Sequence, residues 1–218
     1  MCGRFTLADP RQLALRYDLA ELADLAPRFN VAPTQPVPAV VSTGGGRLVH
    51  MRWGLVPSWA KDLSIGSRMI NARAESLETR PAFRDALRAR RCLVLADGFF
   101  EWKKEGRDRR PFHLRLATAE PFAFAGLWDE WRAPDGALVR SCTIVTTDPN
   151  ALVAPLHDRM PAILLAESEA RWLDPTVQDL ADLVDILQPY PSHLMETFEV
   201  AKVVNNVAND VPACVERV

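Results

Sequence analysis

Apolar residues recur at helical spacing through 9–25, at Leu13, Leu15, Leu19, Leu22 and Leu25, behind the helix-starting pair Asp9-Pro10. A short amphipathic helix is predicted there. The segment 28–36 carries too much proline for a helix or a central strand and reads as an ordered loop or extended stretch. Apolar runs at 37–41 and 48–53 flank Gly44-Gly45-Gly46, the pattern of a hairpin with a glycine turn. Residues 53–60 then put Trp53 and Trp59 into a Gly/Pro-punctuated loop, with Trp53 expected to cap the core and Trp59 to lie further out. A helix is predicted over 81–91, with Phe83, Ala86, Leu87 and Arg90 on related faces. Residues 92–103 begin as a buried strand and end as a mixed one, and strands follow at about 112–117, 122–128 and 139–147. Two short helices at 167–173 and 176–187, a last strand at 197–204 and an Asn-rich tail complete the pattern. So little room between strands predicts antiparallel pairing in an open or barrel-like sheet.

Length and composition change this picture little: 218 residues, 48% hydrophobic and 25% charged, describe an ordinary globular chain able to bury a core. One α+β domain over 1–218 is expected. No stretch approaches the roughly 20 apolar residues of a membrane span and no signal-peptide pattern opens the chain, so the expected location is cytoplasmic. Cys2, Cys92, Cys142 and Cys214 are widely spaced and form no C-x-x-C pair, which argues against a zinc site or a disulfide framework. Cys92 and Cys142 lie in apolar runs and are expected in the core. No Gly-rich phosphate loop and no metal-ligand spacing appear, so neither a nucleotide cofactor nor a metal is expected.

Charge changes the picture more. Residues 1–110 hold 19 Lys and Arg against 12 Asp and Glu, a balance of +7; residues 111–218 hold 7 against 16, a balance of -9, and the two sum to the net -2. Arg outnumbers Lys by 22 to 4, and guanidinium is the better fork for phosphate oxygens. An anionic partner should therefore approach the N-terminal half.

Candidate chemistry begins at Met1-Cys2-Gly3-Arg4. Removal of Met1 would leave a thiol and an α-amine on neighbouring carbons, with unperturbed pKa values of about 8.5 and about 7.7–8.0. A 1,2-aminothiol condenses with an aldehyde to an imine, and the sulfur then closes a five-membered thiazolidine. Glu101, set between Phe100 and Trp102, is either a solvent-facing strand residue or a carboxyl of raised pKa suited to proton transfer. His157 lies in the polar interruption Ala154-Pro155-Leu156-His157-Asp158-Arg159-Met160-Pro161, as a surface residue or a proton carrier.

Several short motifs in order resemble the abasic-site processing family, also called SOS-response-associated peptidase (SRAP) proteins. They are Met-Cys-Gly-Arg-Phe at the start, Arg-Phe-Asn-Val-Ala-Pro at 28–33, Trp-Gly-Leu-Val-Pro-Ser-Trp at 53–59, Ile-Asn-Ala-Arg-Ala-Glu at 70–75, Asp-Gly-Phe-Phe-Glu-Trp at 97–102 and His-Asp-Arg-Met-Pro at 157–161, followed by a similar tail at 204–207. The resemblance implies a curved, largely antiparallel sheet with flanking helices that brings the N-terminus into a cleft. It implies a self-processing cysteine peptidase of lyase-like character that removes its own Met1 and crosslinks covalently to abasic sites in single-stranded DNA. On it, Cys2 is the nucleophile, Asn71 holds the N-terminal residue or the sugar, Glu101 is the acid/base group, and His157 delivers a proton to the sugar oxygen. Arg4, Arg73 and Arg159 would contact flanking phosphates, and Pro33, Trp59 and Trp102 would face unstacked bases. Ala60 departs from relatives that carry a second aromatic there. A monomer is expected, nucleoid-associated when bound to DNA. Two rival readings stand beside this one: a cysteine peptidase acting on other proteins with a Cys2-His157-Asn71 set, and a DNA-binding module without chemistry.

Overall fold

Phe5–Leu7 (β1) and Arg28–Val31 (β2) are short strands from the first motifs, and Pro36–Val41 (β3) and Arg47–Trp53 (β4) form the expected hairpin. The computed structural model describes residues 2–17, 25–42 and 47–218, so the glycine turn and the end of the first predicted helix lie outside the described residues. The strands that follow are Asn71–Arg73 (β5), Arg91–Ala96 (β6), Gly98–Glu105 (β7), Asp108–Leu116 (β8), Phe122–Arg132 (β9), Leu138–Thr147 (β10), Met160–Pro161 (β11) and Met195–Glu199 (β12). Three α-helices are described: Pro10–Arg16 (α1), Pro81–Ala89 (α2) and Ala166–Leu173 (α3).

These strands make two sheets. In one, β3, β4, β10, β9 and β6 close on themselves as a five-stranded mixed barrel, with β4 beside β10 in parallel and every other neighbour antiparallel. Closure leaves no unpaired edge within the ring. The other sheet is antiparallel, in the order β12-β8-β7-β1-β2. The expected α+β architecture with a curved, barrel-like sheet is thus a closed barrel with a second sheet against it.

The two are joined within a run that reads as one strand. β6 belongs to the barrel and β7 to the second sheet, and the chain changes sheets at Asp97-Gly98. Only glycine fits at 98, because a Cβ there would stand 2.3 Å from His113 Nε2 and 2.8 Å from Thr6 Oγ1. The barrel core packs Val37, Met51, Cys92, Val94, Phe124, Cys142 and Ile144 with Phe5 and Trp53, and Cys2 is part of it. α2 and α3 cover the outer face of β6 through Phe83, Leu87 and Trp172 against Leu93 and Leu95. A third cluster, Phe100, Val200, Val204 and Cys214, fastens the C-terminal segment to the second sheet.

The stretch 28–36 is extended as expected: β2 is an edge strand that ends before Pro33, and the turn at 33–34 carries Thr34 at φ 73°. Two expectations about elements are corrected. The helix expected at 176–187 is two short 3-10 turns, Leu180–Asp182 and Val184–Leu187, too short and polar to bury a full helical face. The last strand ends at Glu199, and Lys202–Asn205 turns back as a 3-10 element toward Arg4.

Candidate active site

β1 runs between β2 and β7, and its ladder continues beyond its own start: Phe100 N donates to Arg4 O at 3.0 Å. This pairing holds the beginning of the chain in place. Cys2 is fully buried, its Sγ donating to Arg4 O at 3.7 Å, and its own carbonyl accepts a 2.9 Å bond from Asn71 Nδ2. Asn71 opens β5, which lies parallel to β10 in register with Ile144, so the barrel delivers the amide that grips Cys2. Asn71 Oδ1 is buried and has no partner among the described residues, which leaves an acceptor beside the cysteine.

Glu101 lies on β7, one pair beyond the Phe100–Arg4 bond, and is 3% exposed. The solvent-facing alternative is excluded. Burial pushes its carboxyl up to about 7, and the Asp158 charge adds to the rise. Burial also pushes the Cys2 thiol far up, with Glu101 acting in the same direction, so sulfur is held as a thiol at neutral pH. His157 stands half-buried between β10 and β11. Its Nδ1 accepts from Arg159 N at 3.0 Å and lies 2.9 Å from Asp158 Oδ1, while burial lowers its pKa and favours neutral imidazole. Asn71 thus touches Cys2 directly, while Glu101 acts on the Cys2 thiol and His157 senses the start of the chain through charge.

The residues expected at DNA divide. Trp59 is 58% exposed and lines a cavity of about 520 Å³ with Arg68, Arg80 and Asn71. Trp102 lines a second cavity, of about 480 Å³, with Gly3, Arg4, Arg109 and Asn205, and its Nε1 donates to Asn205 Oδ1 at 2.7 Å. The two cavities flank Cys2, one through its neighbour Gly3 and the other through its partner Asn71. Pro33 is half-buried at the turn and Arg73 is exposed at the end of β5. Arg4 and Arg159 are already engaged. Arg4 donates to Asn30 Oδ1 at 2.8 Å and Val204 O at 3.0 Å, and Arg159 is buried against Asp148 (2.8 Å), Glu75 (2.7 Å) and Thr146 O (2.8 Å).

Sequence reasoning missed the polar supports of β1. Thr6 Oγ1 donates to Asp97 Oδ1 at 2.6 Å and lies 3.2 Å from His113 Nε2. With the hydroxyl proton committed to Asp97, His113 must donate through Nε2, and burial, pushing its pKa down to about 3, keeps it neutral. Asn30 and Asp210 were missed as well. Asn30 Nδ2 donates to Val204 O, Asn206 O and Asn209 O, and Asp210 accepts from Phe29 N and Asn30 N and pairs with Arg28. The sequence signal for Asn30 was its position inside Arg-Phe-Asn-Val-Ala-Pro at 28–33.

Fold and site together define an α+β protein built to hold the beginning of its own chain between a closed barrel and a second sheet. Residues 1–207 match the family described as SOS response associated peptidase (SRAP), and the chain belongs to that family. It is 43% identical over 223 residues to the abasic site processing protein YoqW of Bacillus subtilis, covering 99% of each chain, and 40% identical to YoaM of the same organism over 96% of this chain and 95% of that one. Against the abasic site processing protein HMCES of Xenopus tropicalis the identity is 29%, over 86% of this chain and 65% of the relative. A crystal structure of a Bacteroides thetaiotaomicron protein superposes over the whole of both chains with a TM-score of 0.90 at 27% identity. Among the described residues no helix is long and apolar enough to cross a membrane.

Proposed function

We propose that this protein acts in the response to DNA damage by capturing abasic sites in single-stranded DNA through Cys2, after loss of Met1. One observation carries the reading: the second residue of the chain is buried, gripped through its carbonyl by Asn71 and set beside a carboxyl whose pKa is about 7. Hydrolysis of the Met1–Cys2 bond, with Glu101 as acid/base group, frees the amine. The amine adds to the aldehyde of a ring-opened abasic deoxyribose and expels water, giving an imine. The thiol then adds across that C=N bond to close the thiazolidine. Because the thiol is held protonated, amine attack comes first, and the sulfur proton passes to a base as the ring closes. Glu101, half-ionised near neutral pH, suits both proton transfers, and neutral His157 suits delivery to the sugar oxygen through Nε2. Asn71 Oδ1 would accept from the freed amine or a sugar hydroxyl.

A peptidase acting on other proteins has weaker support. Such enzymes attack with a thiolate of lowered pKa, and here burial moves the thiol the other way. The names of the Bacillus and vertebrate relatives favour the DNA reading. The cytoplasm, at the nucleoid during DNA binding, is the location it implies, with the protein acting as a monomer.

The test is incubation with single-stranded DNA carrying one abasic site, read on a denaturing gel and by intact mass. The wild type should give a denaturant-resistant one-to-one adduct, Cys2→Ala none, and a residue inserted between Met1 and Cys2 should block the adduct. Wild-type protein that leaves the strand unshifted would sink the proposal. An insertion variant that still forms the adduct would rule out the aminothiol route.

A further inference from the structure

The cavity on the Gly3 side of Cys2 holds charge that the site residues named so far do not explain. It is lined by Gly3, Arg4, Trp102, Arg109 and Asn205, with no carboxylate among them. Arg109 lies on β8 directly opposite Lys104 on β7, and strand alternation puts both on the sheet face that carries Trp102. Two like charges in direct cross-strand register repel unless something anionic lies between or beside them. The nearby carboxylates do not serve. Asp108 pairs with Lys202 at 2.8 Å, Glu105 with Lys103 at 3.0 Å and Arg110 at 3.2 Å, and Glu199 with Arg110. Arg109 N donates to Asp108 Oδ1 at 2.9 Å, but among the described residues neither the Lys104 ammonium nor the Arg109 guanidinium pairs with a carboxylate. The hairpin thus pairs Lys103, Arg110 and Arg115 with carboxylates, carries Arg107 at its exposed turn, and leaves Lys104 and Arg109 opposite one another on the face of the Trp102 indole, with Arg109 lining a cavity that Gly3, the neighbour of Cys2, also lines.

We propose that Lys104 and Arg109, with the Trp102 indole, form a phosphodiester-binding subsite for the nucleotide that adjoins the lesion on the Gly3 side of Cys2. The inference rests on the reading that the partner is single-stranded DNA, and adds residues and a place to it. An indole beside two cations matches a strand's own alternation of flat base and charged phosphate. Arg4 keeps its bonds to Asn30 and Val204 and contributes its positive charge to the cavity from a fixed position.

Fluorescence anisotropy with a single-stranded oligonucleotide carrying a tetrahydrofuran abasic analogue reads this subsite apart from the crosslinking chemistry, because the analogue has no aldehyde. Arg109→Glu and Lys104→Glu should each weaken binding about 5-fold or more. The double variant should flatten the salt dependence of log Kd by about 0.7 per lost phosphate contact. Arg107→Glu changes the charge equally at the exposed hairpin turn, outside the cavity, and should stay within about 2-fold of wild type. Equal effects at 107 and 109, an unchanged salt slope in the double variant, or no binding of the analogue by wild type at low salt would each overturn the subsite. Failure of the wild type to crosslink a natural abasic site would overturn the aldehyde chemistry, whatever the anisotropy shows.

Discussion

Glu101 is held in the sheet by backbone pairing to Phe112 and by the aromatic residues around it, so its carboxyl is kept where ionisation is costly. Its folded-state pKa is about 7 against an ordinary 4.5, raised chiefly by burial. For an acid shifted upward, the associated stability is fully present below the unfolded pKa and is lost as pH rises through the folded one. Between pH 5 and pH 8 this group should therefore cost the fold on the order of 2 kcal/mol. Glu101→Gln, which cannot ionise, should lack that loss: its melting temperature relative to wild type should be higher at pH 8 than at pH 5, while adduct formation falls. A difference that stays constant across the range would mean that Glu101 does not titrate there. The same burial logic separates Cys2 from an ordinary reactive cysteine, since its nucleophilicity has to be released by a neighbour.

Among the elements, the junction of β6 and β7 matters most to the site. It passes the chain from barrel to second sheet directly under β1, and Asp97, Thr6 and His113 link the three strands that meet there. Gly98→Ala would drive a methyl into the His113 ring and should destabilise by about 1–3 kcal/mol in denaturant unfolding. Because the closest clash is with the His113 ring, ahead of the Thr6 hydroxyl, a double-mutant cycle with His113→Ala should show the pair less damaging together than the sum of the singles. Additive effects would mean that the ring is not what confines position 98. The pattern of hydrophobicity could not reveal this junction, because 92–103 reads as an uninterrupted strand and a change of sheet leaves no mark in alternation. What could be read was the glycine itself. The C-terminal 3-10 turn escaped for a related reason: its apolar residues, Val203 and Val204, suit a strand equally well, and the partners of the Val204 carbonyl, Arg4 and Asn30, lie far away in sequence.

In the whole molecule, the barrel and the second sheet leave the start of the chain between two cavities, each bordered by a tryptophan and by arginines of the basic half. Trp59 is the exposed member. Trp59→Ala should weaken single-stranded oligonucleotide binding by about 1–3 kcal/mol, as loss of one stacked base would, and change unfolding stability by no more than about 0.5 kcal/mol. A fall in stability with unchanged affinity would make Trp59 a structural residue. By itself the sequence determined the elements with strong period or strong punctuation: the β3–β4 hairpin, the amphipathic helix α2, the buried strands β6, β9 and β10, and the motifs holding Cys2, Asn71, Glu101 and His157. These depend on local spacing, which is all that a linear pattern carries. Tertiary structure alone decided that the barrel closes through a parallel β4–β10 pair, that Asn71 takes the Cys2 carbonyl, and that Arg159 is spent on Glu75 and Asp148. It also left Arg109 uncompensated beside Trp102. Each of these is a pairing across long sequence separation, and the depth at which Cys2 and Glu101 are buried, which sets their proton affinities, exists only once those pairings form.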